Sequence, residues 1–285
     1  MFHPSLRTRS YAAALRDLAS EKAAVRAAAA RDMLSSGREH PREAADALAP
    51  LLDDADTAVR VAALVALGAL DAHHHVDAIA ARVDDDHGEV RQHAVMALGD
   101  LGGDRAREHL ERALGAGFAE VRFQALVAMA HVDPPRGLAL AREALGDEDR
   151  YIAAEAALLV GALLTRDATR RHFTAAHAAE ALTALTALDA HPNDELRVGA
   201  WVSRVRLGDA APLDALFALA AGRLAGVSVS ADLALDVIDT FGDLDVAHHA
   251  RVRAVLGPIA RRWFHSETRE RARAVIARLA ERPSP

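Results

Sequence analysis

Arginines recur along the first half of the chain at a regular spacing, each directly after a valine. They are separated by 34, 31 and 31 residues: Arg26, Arg60, Arg91 and Arg122. A row of guanidinium groups at one spacing could bind an anion. It could equally pair with carboxylates inside the fold, since a buried charge without a partner is costly.

The 15 histidines make a metal site a candidate, because neutral imidazole is a common ligand of transition metals. The His-Glu-x-x-His motif is absent from the sequence. Residues 73–75 are three histidines in a turn, where consecutive side chains are expected to splay apart. Glu89 and His93 are four residues apart, and His131 could approach them from the next unit. These spacings predict a chain without a bound metal or cofactor.

Two clusters of arginine suggest nucleic-acid binding, since arginine beside aromatic side chains can hold phosphates and stack on bases. The first consists of Arg166, Arg170 and Arg171. The second lies beside Trp263 and Phe264 and comprises Arg251, Arg253, Arg261, Arg262, Arg269, Arg271, Arg273 and Arg278. Glutamates interleave the second cluster, and the net charge of −7 disfavours contact with phosphates. Nucleic-acid binding is therefore the alternative to a protein partner.

The recurring arginines belong to a longer pattern that predicts helices. After Val59, apolar residues follow at positions four, seven, eight and eleven, which form one stripe along a helix. A second apolar segment lies between successive copies, as at 76–83. Two short helices cannot bury their apolar faces alone, so stacked pairs must share a continuous core.

This pattern resembles HEAT repeats, in particular the short bacterial type first associated with phycobilisome lyases. The matching residues are Asp54, Val59, Arg60, Ala63, Ala66, Leu67 and Gly68, then Asp85, Val90, Arg91, Ala94, Ala97, Leu98 and Gly99. The resemblance is strong over about residues 40–165. It implies an all-α, right-handed α-solenoid of antiparallel helix pairs, and such a fold serves many unrelated functions.

The resemblance also implies a ladder in which an aspartate and the arginine six residues later tie adjacent units together. The pairs Asp54/Arg60 and Asp85/Arg91 are complete. Alanine stands six residues before Arg122, and alanine stands six residues after Asp147. We therefore predict that Arg122 pairs across to Asp147 or Asp85.

The resemblance places the second helix of each unit on the concave face of the solenoid. Counted from the residue before each valine, positions i, i+4 and i+11 form a polar, mildly acidic strip: Glu89, His93, Asp100, Glu120, Gln124, His131, Tyr151 and Glu155. Apolar residues interleave the strip at i+7: Met96, Val127 and Leu158. Such a surface suits a peptide or a basic partner. The alternative is an ordinary solvated inner face.

The spacing predicts a single solenoid over residues 1–285 in four segments. A capping helix pair occupies 1–38 and regular repeats occupy 39–164. Irregular repeats with an insertion of about 13 residues follow at 165–245, because the step from position 153 to Arg197 is longer than a repeat. Capping helices at 246–285 complete the chain.

Composition bounds the function further. Hydrophobic residues make up 51% of the chain, but no apolar run approaches the roughly 20 residues of a membrane span. The absence of cysteine excludes disulfides and thiolate sites. We predict a cytoplasmic, non-catalytic scaffold that binds a protein or peptide. A lyase-like or metal-dependent enzyme is the catalytic alternative, although no catalytic motif stands out.

Overall fold

The computed structural model describes residues 10–261 and 266–281. In these ranges the regular elements are α-helices and short 3-10 turns, and the chain divides into two compact units, Met1–Gly137 and Leu138–Pro285. No helix in the same ranges has both the length and the apolar character that crossing a bilayer would take.

The first unit alternates short and long helices. They are α1 (Tyr11–Asp17), α2 (Ala23–Ser36), α3 (Pro41–Leu48), α4 (Thr57–Ala69), α5 (Val76–Ala80), α6 (Gly88–Leu101), α7 (Gly103–Ala113), α8 (Ala119–Val132) and the start of α9 (Pro134–Glu143). The long helices α2, α4, α6 and α8 pack side by side in that order. They carry the recurring valine–arginine pairs, so the repeat of the sequence is the repeat of the structure.

The second unit contains the rest of α9 and eight further helices. They are α10 (Arg150–Thr165), α11 (Asp167–Arg170), α12 (Ala175–Thr186), α13 (Asp194–Arg206), α14 (Leu213–Ala220), α15 (Ala231–Phe241), α16 (His249–Ala260) and α17 (Glu267–Glu281). Helices α10, α13, α15 and α17 pack in succession. We refer to α2, α4, α6 and α8 of the first unit and α10, α13 and α15 of the second as the B helices.

Short polar side chains start several B helices. Asp56 accepts hydrogen bonds from the amides of Ala58 and Val59 at 2.9 and 3.2 Å. Asp149 and Asn193 cap α10 and α13 in the same way. Each cap satisfies amides at the helix start that have no partner within the helix.

Glycine at one position of the repeat allows adjacent B helices to approach closely. A Cβ on Gly68 would lie 3.3 Å from the Cα of Ala97, and one on Gly99 would lie 3.0 Å from the Cβ of Ala128. In the second unit, Gly161 of α10 faces Ser203 of α13. The buried Ser203 hydroxyl donates to the Ala157 carbonyl at 2.6 Å, which fixes its position.

We expect Gly161→Ala to destabilise the second unit. Alanine favours a helix interior over glycine by about 1 kcal/mol. However, the new Cβ would lie 2.8 Å from the Cα of Ser203, which cannot move away without shifting α13. The net cost should be about 1–3 kcal/mol, the range for overpacked cores, measured as a lower midpoint of denaturant unfolding.

Gly146→Ala is the control in the same unit. Gly146 is exposed in the 3-10 turn after α9, and a Cβ there would have no atom within 4 Å apart from its chain neighbours. This variant should keep or raise the unfolding midpoint. Equal effects of the two substitutions would contradict the close approach of α10 and α13.

Candidate partner-binding face

The recurring arginines of the first unit connect successive repeats through carboxylates. Arg26 donates to both carboxylate oxygens of Asp54, at 2.6 and 2.7 Å. Arg60 donates to Asp85 at 2.9 Å, and both side chains are nearly buried. Arg91 binds the carboxylate of Glu120. Each guanidinium thus reaches the turn or the helix start of the following repeat.

Each of these arginines also binds the main chain of its own repeat. The acceptor is the carbonyl six residues earlier: Ser20 for Arg26 at 2.7 Å, Asp54 for Arg60 at 2.8 Å, Asp85 for Arg91 at 2.9 Å and Ala116 for Arg122 at 3.2 Å. In the second unit, Arg197 donates to the His191 carbonyl at 2.6 Å. We call the carbonyl and carboxylate contacts together the arginine ladder.

The ladder differs in detail from the pairing that the sequence suggests. The carboxylate of Asp54 binds Arg26 of the preceding repeat, and only its carbonyl meets Arg60. Glu120, predicted above as a residue of the polar strip, is the acceptor for Arg91. The Asp85 carboxylate accepts from Arg60, and the pairing of Arg122 with Asp147 or Asp85 stays a prediction.

The ladder shifts the acidity of its carboxyl groups. Hydrogen bonds from Arg26 hold the pKa of Asp54 below its ordinary value, although burial acts in the opposite direction. Arg91 lowers the pKa of Glu120 in the same way. These carboxylates are therefore ionised in the fold at neutral pH.

Exposed apolar side chains form a row on the B helices of the first unit. Val65, Met96 and Val127 follow one another at steps of 31 residues and are 39, 50 and 40% exposed. Soluble proteins expose single apolar residues commonly, but a row at the repeat spacing places them on equivalent helix positions. We call this surface, with its polar neighbours, the B-helix face of the first unit.

The polar residues predicted for this face flank the apolar row. Glu89, Asp100 and His131 are exposed, while His93 and Gln124 are partly buried. The imidazole Nδ1 of His93 lies 2.8 Å from the main-chain carbonyl oxygen of Glu89. The carboxylate–imidazole pair that their spacing suggested is thus replaced by a main-chain contact.

The B-helix face of the second unit carries an excess of carboxylates around Glu155. Tyr151 is 55% exposed one turn before this half-buried side chain. Burial raises the pKa of Glu155, and the charges of Asp236, Asp232 and Glu195 raise it further. Burial and the charges of Glu155 and Asp232 also raise the pKa of Tyr151.

Sequence reasoning found Tyr151 and Glu155 on this face but missed the three neighbouring carboxylates. Glu195 lies on α13, and Asp232 and Asp236 lie on α15. Both helices follow the irregular insertion, where the 31-residue frame is lost. The signal that could have found Glu195 is its position two residues before Arg197 in a recognisable copy of the repeat.

The arginines near the C-terminus are largely engaged within the second unit. Arg251 binds Asp214 at 2.6 Å, and Arg253 and Arg273 donate to main-chain carbonyls. Arg269 is buried. Arg262, Trp263 and Phe264 lie outside the described residues. Within the described ranges, these contacts leave few of the C-terminal guanidinium groups free for the phosphates of a nucleic acid.

Comparison with known families identifies the repeat. Residues 12–99 and 45–118 match the family described as HEAT repeats. These matches show HEAT repeats over residues 12–118. No curated protein matches the sequence.

Solved structures share the fold over nearly the whole chain. Kap121p bound to Pho4p is similar with a TM-score of 0.56 and 17% identity, over 94% of this chain and 34% of that one. The Escherichia coli protein YibA is similar with a TM-score of 0.51 and 15% identity, over 94% of this chain and 92% of that one. A chain from the CpcE–CpcF complex of phycocyanin lyase from Nostoc sp. gives a TM-score of 0.39 and 17% identity, over 98% of this chain and 98% of that one. The first two likenesses show an α-solenoid of helix pairs.

The ladder generates a stability prediction for Arg60→Ala. This variant leaves the Asp85 carboxylate nearly buried without its guanidinium partner. Removing one member of a buried ion pair costs about 3 kcal/mol or more. The unfolding midpoint of the first unit, followed by circular dichroism in denaturant, should fall accordingly.

Arg105→Ala is the control for that experiment. Arg105 pairs with Asp77 at 3.0 Å, but both side chains are more than half exposed. Exposed ion pairs contribute about 1 kcal/mol at most. If Arg60→Ala lowers the unfolding midpoint no more than Arg105→Ala does, the ladder does not stabilise the stacking of the repeats.

The lowered pKa of Asp54 predicts a loss of stability in acid. A carboxyl group with a lowered pKa in the fold stabilises it above the ordinary aspartate pKa of about 4, and this contribution disappears as the pH falls. Asp54→Asn cannot titrate. Its unfolding midpoint should therefore fall less than that of the wild type between about pH 6 and pH 3.

Asp53→Asn serves as the adjacent control. Asp53 contacts Arg82 at 2.7 Å and its side chain is largely exposed. This variant should keep the acid sensitivity of the wild type. The interpretation fails if Asp54→Asn and the wild type lose stability in parallel.

Proposed function

We propose that this chain is a non-catalytic scaffold whose B-helix face binds a protein segment rich in basic side chains. The observation that carries this proposal is the half-buried carboxylate of Glu155 among three further carboxylates. The repeat architecture supports it, because the helix faces of stacked repeats are the usual binding surfaces of such proteins.

Electrostatics favours a basic partner. The raised pKa of Glu155 means that its charged form is disfavoured in the free protein. Arg206 donates to the Asp236 carboxylate at 2.7 Å and offsets its charge. Asp232 and Glu195 also raise the pKa of Glu155. A lysine or arginine from a partner would stabilise the ionised form of Glu155, so binding and ionisation would support each other.

The exposed Tyr151 adds an anchor beside these charges. Tyrosine buries a large area with little loss of conformational freedom and is enriched among the residues that dominate interfaces. On the first unit, the row Val65, Met96 and Val127 lies beside the acidic Glu89 and Asp100. Each unit thus presents apolar and acidic groups together, which suits a segment that alternates apolar and basic residues.

A protein of similar fold illustrates this use. Kap121p is bound to Pho4p in the structure to which this chain is similar. Only the fold is shared at that identity, so the likeness supports protein binding in general terms. The chemistry of the partner is inferred from the carboxylates of this chain alone.

The proposal predicts charge-dependent binding. A fluorescent peptide that alternates lysine and leucine should bind the wild type in fluorescence anisotropy, whereas its glutamate–leucine counterpart should not. The double variant Glu155→Gln/Asp232→Asn should weaken binding about tenfold, since two favourable charge contacts are lost. An affinity pull-down from native lysate, with wild type and variant side by side, then identifies the natural partner.

A control variant separates local from overall charge. Asp167→Asn/Glu180→Gln changes the net charge equally, and both positions are exposed on α11 and α12. Binding should remain at the wild-type level in this variant. Equal weakening by both double variants, or equal binding of the two peptides, would contradict a specific acidic face.

A further inference from the structure

Three metal-ligating side chains from adjacent repeats of the first unit meet outside the B helices. Asp46 lies on α3, and His74 and His75 lie in the 3-10 turn that precedes α5. The Nε2 atoms of the two imidazoles each lie 2.9 Å from the same carboxylate oxygen, Oδ1 of Asp46. One ligand atom from each of the three side chains lies within 4.8 Å of the others.

The backbone fixes the turn that presents these histidines. After α4, Asp71 adopts a left-handed conformation with φ of 53°. The amides of Asp71 and Ala72 donate to the carbonyls of Gly68 and Leu67, both at 3.1 Å, which closes the helix end. The chain then enters the 3-10 turn at 73–75, so the position of His74 and His75 follows from the helix end.

This arrangement corrects the expectation that the consecutive histidines splay apart. The imidazole rings of His74 and His75 have centroids 4.2 Å apart and planes inclined by 44°. Both rings contact the same carboxylate, which lies on α3. The imidazoles of these consecutive residues come together because both contact the Asp46 carboxylate.

We propose that Asp46, His74 and His75 bind one divalent transition-metal ion of the zinc class. Two imidazole nitrogens and one carboxylate oxygen are a donor set typical of Zn²⁺ and its neighbours, whereas Mg²⁺ and Ca²⁺ prefer oxygen alone. With bonds of about 2.0–2.2 Å, the ligand atoms of a tetrahedral ion lie about 3.3–3.6 Å apart. The observed separations, from 2.9 Å to at most 4.8 Å, require small side-chain rotations only.

Solvent can complete the coordination. The Asp46 side chain is 56% exposed, and the two imidazoles are one fifth to one third exposed. A zinc ion held by three side chains commonly takes water as its fourth ligand. The ion would connect α3 of one repeat to the turn before α5 of the next, in place of the two hydrogens that the imidazoles now share with Asp46.

The next repeat contains the same contact without the capacity to bind a metal. Asp77, 31 residues after Asp46, accepts from Nε2 of His109 at 2.6 Å and from Nε of Arg105 at 3.0 Å. A guanidinium has no lone pair available for a metal. The second imidazole therefore distinguishes the site at Asp46 from an ordinary ion pair, and His109 provides an internal control.

Zinc titration of the full chain, without an affinity tag, tests the site. Isothermal titration calorimetry with zinc chloride should show one preferred ion per chain. The variant His74→Gln/His75→Gln should bind zinc at least about tenfold more weakly, and Asp46→Asn should weaken binding in the same direction. His109→Gln should bind as the wild type does, and Zn²⁺ should raise the thermal midpoint of the wild type but not of the double variant.

The result that would overturn the proposal is wild-type affinity in the double variant, which would assign zinc binding to other histidines among the 15. Equal weakening by His109→Gln would overturn it as well. Circular dichroism of each variant before titration shows whether the helices are intact. The Asp46 side chain is largely exposed, whereas His75 and His109 are largely buried, so only variants that pass this check are compared.

Discussion

A nearly buried guanidinium group must find hydrogen-bond acceptors, and this requirement sets how the repeats of the first unit stack. Arg60 takes one acceptor from the Asp54 carbonyl of its own repeat and another from the Asp85 carboxylate of the next. Arg26 and Arg91 do the same one repeat earlier and later. Since each arginine reaches its own turn and the turn or helix start of the next repeat, the ladder constrains the offset between successive B helices. The alignment of Val65, Met96 and Val127 in one exposed row depends on that offset.

The periodic apolar stripe made the helices and their stacking predictable, because this signal is local and recurs in each repeat. The pairing of the ladder was less predictable, since a carbonyl contact requires no particular side chain. Arg122 therefore keeps its main-chain acceptor although position 116 is alanine. In the same way, Glu120 reaches Arg91 from the start of α8, where no aspartate stands in the turn. The sequence shows which residues are charged but not which neighbour each one reaches.

The candidate face was likewise predictable from the sequence only in part. Periodicity placed Glu155 and Tyr151 on a B helix, because α10 keeps the 31-residue frame. The charges that surround Glu155 come from α13 and α15, beyond the insertion, where no fixed spacing relates residues on adjacent helices. Their approach is a tertiary property. It turns an isolated carboxylate into one whose ionisation is resisted, and the proposal of a basic partner rests on this property.

Successive repeats of the first unit are thus joined at two layers by different chemistry. The B helices are joined by arginine, which stays charged throughout the ordinary pH range. The short helices are joined by carboxylates that meet histidine, as at Asp46, or histidine with arginine, as at Asp77. Imidazole can release its proton and can bind a metal, whereas guanidinium can do neither. Because each repeat contacts mainly its neighbours, an ion at Asp46 would strengthen one junction of the stack and leave the arginine ladder unchanged.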